Sequence, residues 1–572
     1  MSPASSQFIL RLRGRQPDDH VAASFARQAI PPIVTPDSVK TSDTASARPA
    51  SSPWSPLRNG LFRSLWIATI VSNIGTWMQD VGSGWLMTSL SSSPSMVALV
   101  EAADSLPMML LALPAGAIAD IIDRRRLLIA TQIYLLLIAG ALGVLTLFDL
   151  MTAWALLGFT FALGVGAALT LPAWSAVVPE LVPTGELPAA VALNAVAINV
   201  SRAIGPAIAG LLVASVGPWL VFILNALSYL GIIAVLVQWR REHRKSTLPA
   251  ERFLTAIRVG LRFVFHTRSL LVVLIRGSAF FVFASATWSL FPLIVRQELG
   301  RGPEIYGFLL TCIGAGAVGG AVLLPRVRGM LSRDAVVAAA SVLYAIAALA
   351  LAHVQHIGLL ALAMLATGVA WISILSSLQV AAQLTLPEWV RARGLAAFVV
   401  VFMGGMALGS ILWGQVATRV GIPAALTAAA IGMVLAIVLT WRFKLGRHEV
   451  LDFTPTMDWP LPVLAEPPEP DVPVLVTISY HIQADKRSEF VAAMQDVRRM
   501  RRRNGAYFWQ LFHDSEDPTR FIECFMDESW VEHLRQHERA SVADQEIRRV
   551  AKQYLVAGTT TRSLHYLADR ES

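Results

Sequence analysis

The chain has 572 residues, of which 55% are hydrophobic and only 15% charged, with a mean hydropathy of +0.56. Soluble domains hold about 45–50% apolar and about 25% charged residues, so an ordinary water-soluble protein is excluded and a polytopic membrane protein is expected. The net charge of +8 does not signal a nucleic-acid partner, because most of the arginines fall in tails and in alternate loops, where membrane topology accounts for them.

Residues 1–57 mix Ser, Pro, Ala and Arg without apolar periodicity, and they lack the apolar core of about 7–15 residues that marks a secretory signal. A disordered cytoplasmic tail is expected there. Twelve runs long enough to span a bilayer follow, near residues 63–89, 96–119, 126–148, 152–177, 188–214, 218–239, 269–294, 306–327, 334–353, 357–384, 394–418 and 421–442. Each must be helical, because unpaired backbone is costly in lipid. Loops on one side carry Arg124 to Arg126, then Arg240, Arg241, Arg244 and Lys245, then Arg326, Arg328 and Arg333, then Arg391 and Arg393. The other side holds only Arg296, Arg301 and Arg419, which places both termini in the cytoplasm.

Residues 58–240 and 269–443 form two six-helix halves, joined by a cytoplasmic linker, 241–268, in which 251–267 reads as an interfacial helix. One constant offset of 204 superposes Gly116 on Gly320, Arg124 on Arg328, Gly164 on Gly368, Pro183 on Pro387, Gly205 on Gly409 and Gly210 on Gly414. The halves are therefore parallel repeats. Residues 444–472 read as a Pro-rich linker and 473–572 return to soluble composition. There a strand at 474–482, a helix at 485–503, strands at 506–513 and 519–526, helical residues 529–555 and a last strand near 560–567 give the order βαββαβ, a ferredoxin-like α+β unit.

The turn at residues 116–128 resembles the loop between the second and third helices of the major facilitator superfamily, with Gly116, Asp120, Arg124, Arg125 and Arg126 matching and Ile121 and Asp123 departing from its pattern. Gly205, Pro206 and Gly210 resemble the fifth-helix glycine-proline motif of drug/proton antiporters, displaced by one place. Thr160 stands where that family's fourth helix carries an arginine. The stretch 529–539 resembles the soluble tail of the bacterial transmembrane secretion effector family, itself similar to antibiotic-biosynthesis monooxygenase domains. The resemblance implies a twelve-helix exporter of the bacterial inner membrane, similar to enterobactin and macrolide efflux proteins, with a cavity lined by the first, fourth, seventh and tenth spans.

Ionisable residues inside a span cost about 2.5–3.5 kcal/mol each on insertion scales and are functional candidates. Asp80, Asp104, Glu101 and Arg202 are such residues and are candidates for proton coupling, with static interhelical pairing as the alternative. Gly116, Asp120 and Arg124 to Arg126 are candidates for a conformational latch, Asp120 pairing with Arg124 or with the start of the eleventh helix near Gly394. Trp77, Gln79, Trp288, Trp371 and Arg276 are candidates for the substrate cavity, since flat rings with a polar edge suit a bulky ligand. Gly205, Pro206 and Gly210 read as a close-packing contact. His533 and His537 have the i, i+4 spacing of helical metal ligands, but no third ligand follows at a matching spacing, so no metal and no cofactor are expected. Expected partners are a small-molecule substrate, protons, the bilayer and a second copy of the chain met through the terminal domain, whose strands carry apolar groups on both faces. Two other readings stand beside the exporter: a membrane-tethered, cofactor-independent oxygenase coupled to transport, and a proton-coupled importer.

Overall fold

In the computed structural model, the described residues are 52–239, 262–445 and 472–569, with Gly260, Asp452, Thr454 and Thr456 between them. The expected N-terminal tail, most of the linker between the halves and most of the Pro-rich linker lie outside the described residues; of the stretch 251–267 only Gly260 and 262–267 are described, with 262–266 helical.

Twelve long helices follow one another: α1 Gly60–Leu90, α2 Pro94–Ile121, α3 Arg124–Leu147, α4 Ala153–Leu181, α5 Leu187–Ser215, α6 Pro218–Gln238, α7 Arg268–Leu293, α8 Pro303–Met330, α9 Arg333–His353, α10 Ile357–Leu384, α11 Arg391–Val420 and α12 Ile422–Thr440. Their starts are built locally. Asn59 caps α1 by accepting from the amides of Leu61 and Phe62, Asp123 caps α3, Ser332 caps α9, and prolines open α2, α6 and α8. Among the described residues eleven of these helices are long and apolar enough to span a membrane. The exception is α1, where Ser72, Asn73, Thr76, Gln79 and Asp80 dilute the apolar run. The chain is a multi-pass membrane protein.

The repeat is visible in the packing. Within the first half α1 packs on α5 and α6, α2 on α4, and α3 on α4 and α6, and the second half repeats this with α7 on α11 and α12, α8 on α10, and α9 on α10 and α12. Between the halves α2 packs on α11 and α5 on α8. Glycines make both contacts close: a Cβ on Gly210 would stand 2.7 Å from the Pro303 carbonyl oxygen, and one on Gly414 would stand 2.6 Å from the Ala98 Cβ.

After the spans, β1 Val474–His481, α13 Arg487–Asn504, β2 Phe508–His513, β3 Arg520–Asp527, α14 Trp530–Arg539, α15 Val542–Lys552 and β4 Arg562–Leu567 form one antiparallel sheet of order β2-β3-β1-β4. This is the βαββαβ arrangement with its second helical stretch broken in two. The break comes at Ala540 and Ser541, where Ser541 and Asp544 form a reciprocal cap that starts a new helix. Apolar residues of β1 point alternately at the helices, so Val474, Val476, Ile478 and Tyr480 join Phe490, Met494, Phe521 and Phe525 in one core.

The terminal domain lies against the end of the bundle where α10 finishes and α11 starts. Arg539 stacks 4.4 Å above the Trp389 ring, and Arg262 donates to the Gly505 carbonyl at 2.5 Å and meets Glu528 at 3.3 Å. Gly505 ends α13 at φ +134°, in the left-handed region that suits glycine.

Candidate functional site

Between the two halves lies a cavity of about 370 Å³. Helix α1 supplies Trp77, Gln79 and Asp80, α2 supplies Glu101 and Asp104, α5 supplies Arg202, α7 supplies Trp288, and α10 supplies Trp371. Residues singled out separately in the sequence thus share one wall-to-wall space. The lining also draws on α4 through Thr160, on α8 through Tyr306 and Leu310, and on α11 through Phe402, Met403 and Met406, a wider set of helices than the four implied by resemblance.

The polar groups are held by their neighbours. Gln79 accepts a 2.6 Å hydrogen bond from the fully buried Asn225 of α6, so its side chain is pinned from behind. Arg202 lies 5.4 Å from the centroid of the Trp77 ring, and its Nε is buried without a hydrogen-bond partner. Asp80 and Asp104 are exposed to the cavity and Glu101 is half-buried in its wall. Three carboxyl groups and one guanidinium in a space this small make its occupancy depend on charge and protonation. On the other wall Trp371 meets Trp288 at 5.4 Å and Phe402 at 6.0 Å between ring centroids, an aromatic surface for an apolar ligand face. Thr160, which stands at the arginine position of the resembling motif, satisfies its hydroxyl on the Leu156 carbonyl at 2.9 Å.

Arg276 lies elsewhere. It is 4% exposed, pairs with Asp334 at the start of α9, and is absent from the cavity lining. Gly205 and Pro206 pack α5 against α1 and α8: a Cβ on Gly205 would stand 2.6 Å from the Trp77 Cβ.

The basic turn ties helix ends together within the first half. Arg124 pairs with Glu180 of α4 at 2.8 Å, and Arg125 donates to the carbonyls of Leu236 and Val237 at 2.7 and 2.8 Å. Arg328, the repeat mate of Arg124, donates to the hydroxyls of Ser376 and Ser377 on α10, so each half pins its own fourth helix with the equivalent arginine. Gly116 has nothing within 4 Å of a built Cβ. The Asp120 side chain lies outside the described residues.

At the end of the bundle opposite the terminal domain the halves are sealed. Arg296, just after α7, donates to Thr88 Oγ1 at 2.9 Å and Ser89 Oγ at 2.6 Å and lies 5.6 Å from the Trp85 ring centroid, while Trp85 stacks on Tyr306 at 6.0 Å. Gln297 donates to the Ser92 carbonyl, and the Ser95 amide donates to Thr418. Sequence reading gave Arg296 only a topological weight, since nothing in its local pattern announces a partner two hundred positions earlier.

In the terminal domain the fully buried Glu523 accepts from Tyr480 at 2.8 Å, Arg501 at 3.0 Å and Trp509 at 3.0 Å. Burial, then the Glu523 charge, holds the Tyr480 hydroxyl well above its usual range. A second polar group joins Asp527, His533, Gln536, His537 and His565. Burial, then the neighbouring His533, pushes His565 down to about 4.

Residues 51–572 match the family described as transmembrane secretion effector. A staphyloferrin A transporter of Staphylococcus aureus is 27% identical over 44% of this chain and 64% of its own length, so the chain spans just under two thirds of that relative. The multidrug efflux pump Tap of Mycolicibacterium fortuitum is 25% identical over 64% of this chain and 92% of its own. Among solved structures, the nucleoside transporter NupG superposes with a TM-score of 0.56 at 12% identity, covering 67% of this chain and 99% of that one, a likeness of fold alone. With a match that runs through both helical halves and the terminal sheet, the chain belongs to the transmembrane secretion effector family of major facilitator transporters.

Proposed function

We propose that the protein uses a proton gradient to export a small molecule, of siderophore, macrolide or other drug-like type, across the bacterial inner membrane, with both termini in the cytoplasm. The observation that carries this reading is the cavity between the halves, where Asp80, Glu101, Asp104 and Arg202 face Trp77, Trp288 and Trp371. Carboxyl groups on α1 and α2 take up protons while the cavity faces one side and release them when it faces the other, and the aromatic wall holds the apolar part of the cargo. The relatives are a siderophore transporter and an efflux pump, which supports the cargo class. Everted vesicles given an imposed proton gradient, and offered a panel of siderophores and macrolides, test it. Asp80→Asn and Asp104→Asn are expected to abolish gradient-driven accumulation. Wild-type rates in both variants would refute the coupling role.

The basic turn acts in this cycle as the anchor of a latch that biases the two halves, with Asp120 as its acidic member. The terminal domain pairs two copies of the chain. Its outer sheet face presents Phe508, Phe512, Ile522, Leu564 and Tyr566, each more than a third exposed, and a face this apolar favours burial against its like. Full-length protein in detergent, sized by light scattering, should be dimeric, and Phe512→Asp with Ile522→Asp should make it monomeric.

A further inference from the structure

His533 and His537 lie one turn apart on α14, and the fold brings a third imidazole to them from the edge strand β4. The register places it there: His565 pairs with Val476, whose side chain is in the core, so His565 shares the helix-covered face of the sheet. One ring nitrogen from each of the three histidines lies within 4.8 Å of the others. The Nε2 atoms of His533 and His537 are 3.2 Å apart, and the His533 ring centroid is 4.8 Å from that of His537 and 5.0 Å from that of His565. Two nitrogens about 2.0–2.1 Å from one tetrahedral ion stand about 3.3 Å apart, so the observed edge already has the spacing of a coordination polyhedron.

The surroundings orient these rings. Asp527, fully buried at the end of β3, faces His533 Nδ1 at 2.8 Å and also accepts from Gln536. A carboxylate at Nδ1 is the usual support for a metal-binding imidazole, and it leaves Nε2, 3.2 Å from His537 Nε2, as the ring's ligand atom. His565 Nε2 is buried and has no hydrogen-bond partner in the protein. A buried ring nitrogen without a partner, on a residue whose ring lies 5.0 Å from that of His533, marks an unmet polar need beside two further imidazoles. His565 is half-buried on the edge strand β4, while His533 and His537 are buried.

We propose that His533, His537 and His565 form a binding site for one divalent transition-metal ion of the zinc class, with Asp527 positioning His533. Three imidazoles suit zinc, copper, nickel and iron alike, and zinc is the probe of choice because it brings no redox chemistry. The site joins α14 to β4, two elements distant in sequence that share no backbone ladder.

The test uses the untagged full-length protein in detergent, stripped with chelator, equilibrated with zinc chloride and desalted. Wild type should retain about one zinc per chain beyond that retained by His565→Gln, and Asp527→Asn should bind about 10–100-fold more weakly. His481→Asn and His513→Asn, exposed histidines of the same domain, should bind as wild type does. Cobalt chloride added to the stripped wild type should give the intense visible bands of a four- or five-coordinate ion, bleached by zinc. Equal zinc in wild type and His565→Gln overturns the proposal, as does a cobalt spectrum of the weak six-coordinate kind. Should His565→Gln fail to fold, the cobalt spectrum of the wild type and its displacement by zinc decide alone.

Discussion

Arg296→Ala should open the sealed end of the bundle. Its guanidinium makes two hydrogen bonds to hydroxyls of the first half, at 2.9 and 2.6 Å, and lies 5.6 Å from the Trp85 ring centroid. Because Arg296 is exposed, each hydrogen bond is taken near the low end, about 0.5–0.8 kcal/mol, and the ring contact at about 0.5–1 kcal/mol. Together they favour the sealed form by about 2 kcal/mol, roughly 30-fold in the ratio of sealed to open. The assay replaces Cys312 and Cys524 by serine and places a single cysteine at Ser289, which is 2% exposed and lines the cavity. An impermeant maleimide added from the sealed side reaches that position only when the seal opens, so its labelling rate reports the open fraction. Arg296→Ala should raise the rate by roughly 30-fold while the sealed form dominates, and Arg296→Lys, which keeps the charge but not the fork, should fall between. A rate within twofold of the parent in Arg296→Ala would refute the assignment of the seal to this residue.

Gly210→Leu places a Cβ 2.7 Å from the Pro303 carbonyl and 3.0 Å from the Gly307 Cα, so export should fall by at least about tenfold with normal membrane insertion, whereas Gly319→Ala, with nothing within 4 Å, should transport normally. Glu523→Ala removes the fully buried acceptor shared by Tyr480, Arg501 and Trp509, a loss of about 3 kcal/mol that should lower the unfolding temperature of the terminal domain by about 12 °C or more in differential scanning fluorimetry. Gln79→Ala takes away one of the two acceptors of the Asn225 amide, leaving Tyr229, and removes a cavity wall group, and it should weaken substrate binding more than it slows turnover at saturation.

The helical part of the fold was legible because its signals are long. A span needs some twenty apolar residues, and the repeat offset that links Gly116 to Gly320 and Gly210 to Gly414 survives across six helices. The convergence of Asp80, Asp104 and Arg202 was half legible: depth along each span is a matter of counting, but which face of each helix meets the cavity depends on crossing geometry. Arg276 shows the limit of such counting. It sits in a span at a plausible depth, and its partner, Asp334, stands at the start of α9, beside the Arg333 that topology had treated only as positive charge. His565 was invisible for a different reason. Spacing along one helix identifies His533 and His537, while a ligand delivered by a strand on the far side of a turn and a second helix leaves no local period to read.

The terminal domain sits where it can act on the transport cycle. Trp389, under Arg539, belongs to the short turn that leads from α10 into α11, and α11 is the helix that packs on α2 across the two halves. Phe263 meets the same Trp389 ring edge-on at 5.5 Å, and its neighbour Arg262 reaches back to Gly505 and Glu528. Both attachments therefore fall on segments that move if the second half rocks against the first, and on the same end of the bundle as the basic turn. The helix that carries Arg539 also carries His533 and His537, and its start is fixed by Ser529 capping Glu532. Two of the three histidines and the Arg539–Trp389 contact thus share one helix. Removal of the terminal domain, which meets the entrance to α11 through Arg539 and Trp389, should therefore change the labelling rate of the Ser289 cysteine from the sealed side even though none of its residues lines the cavity, and an unchanged rate would refute the coupling.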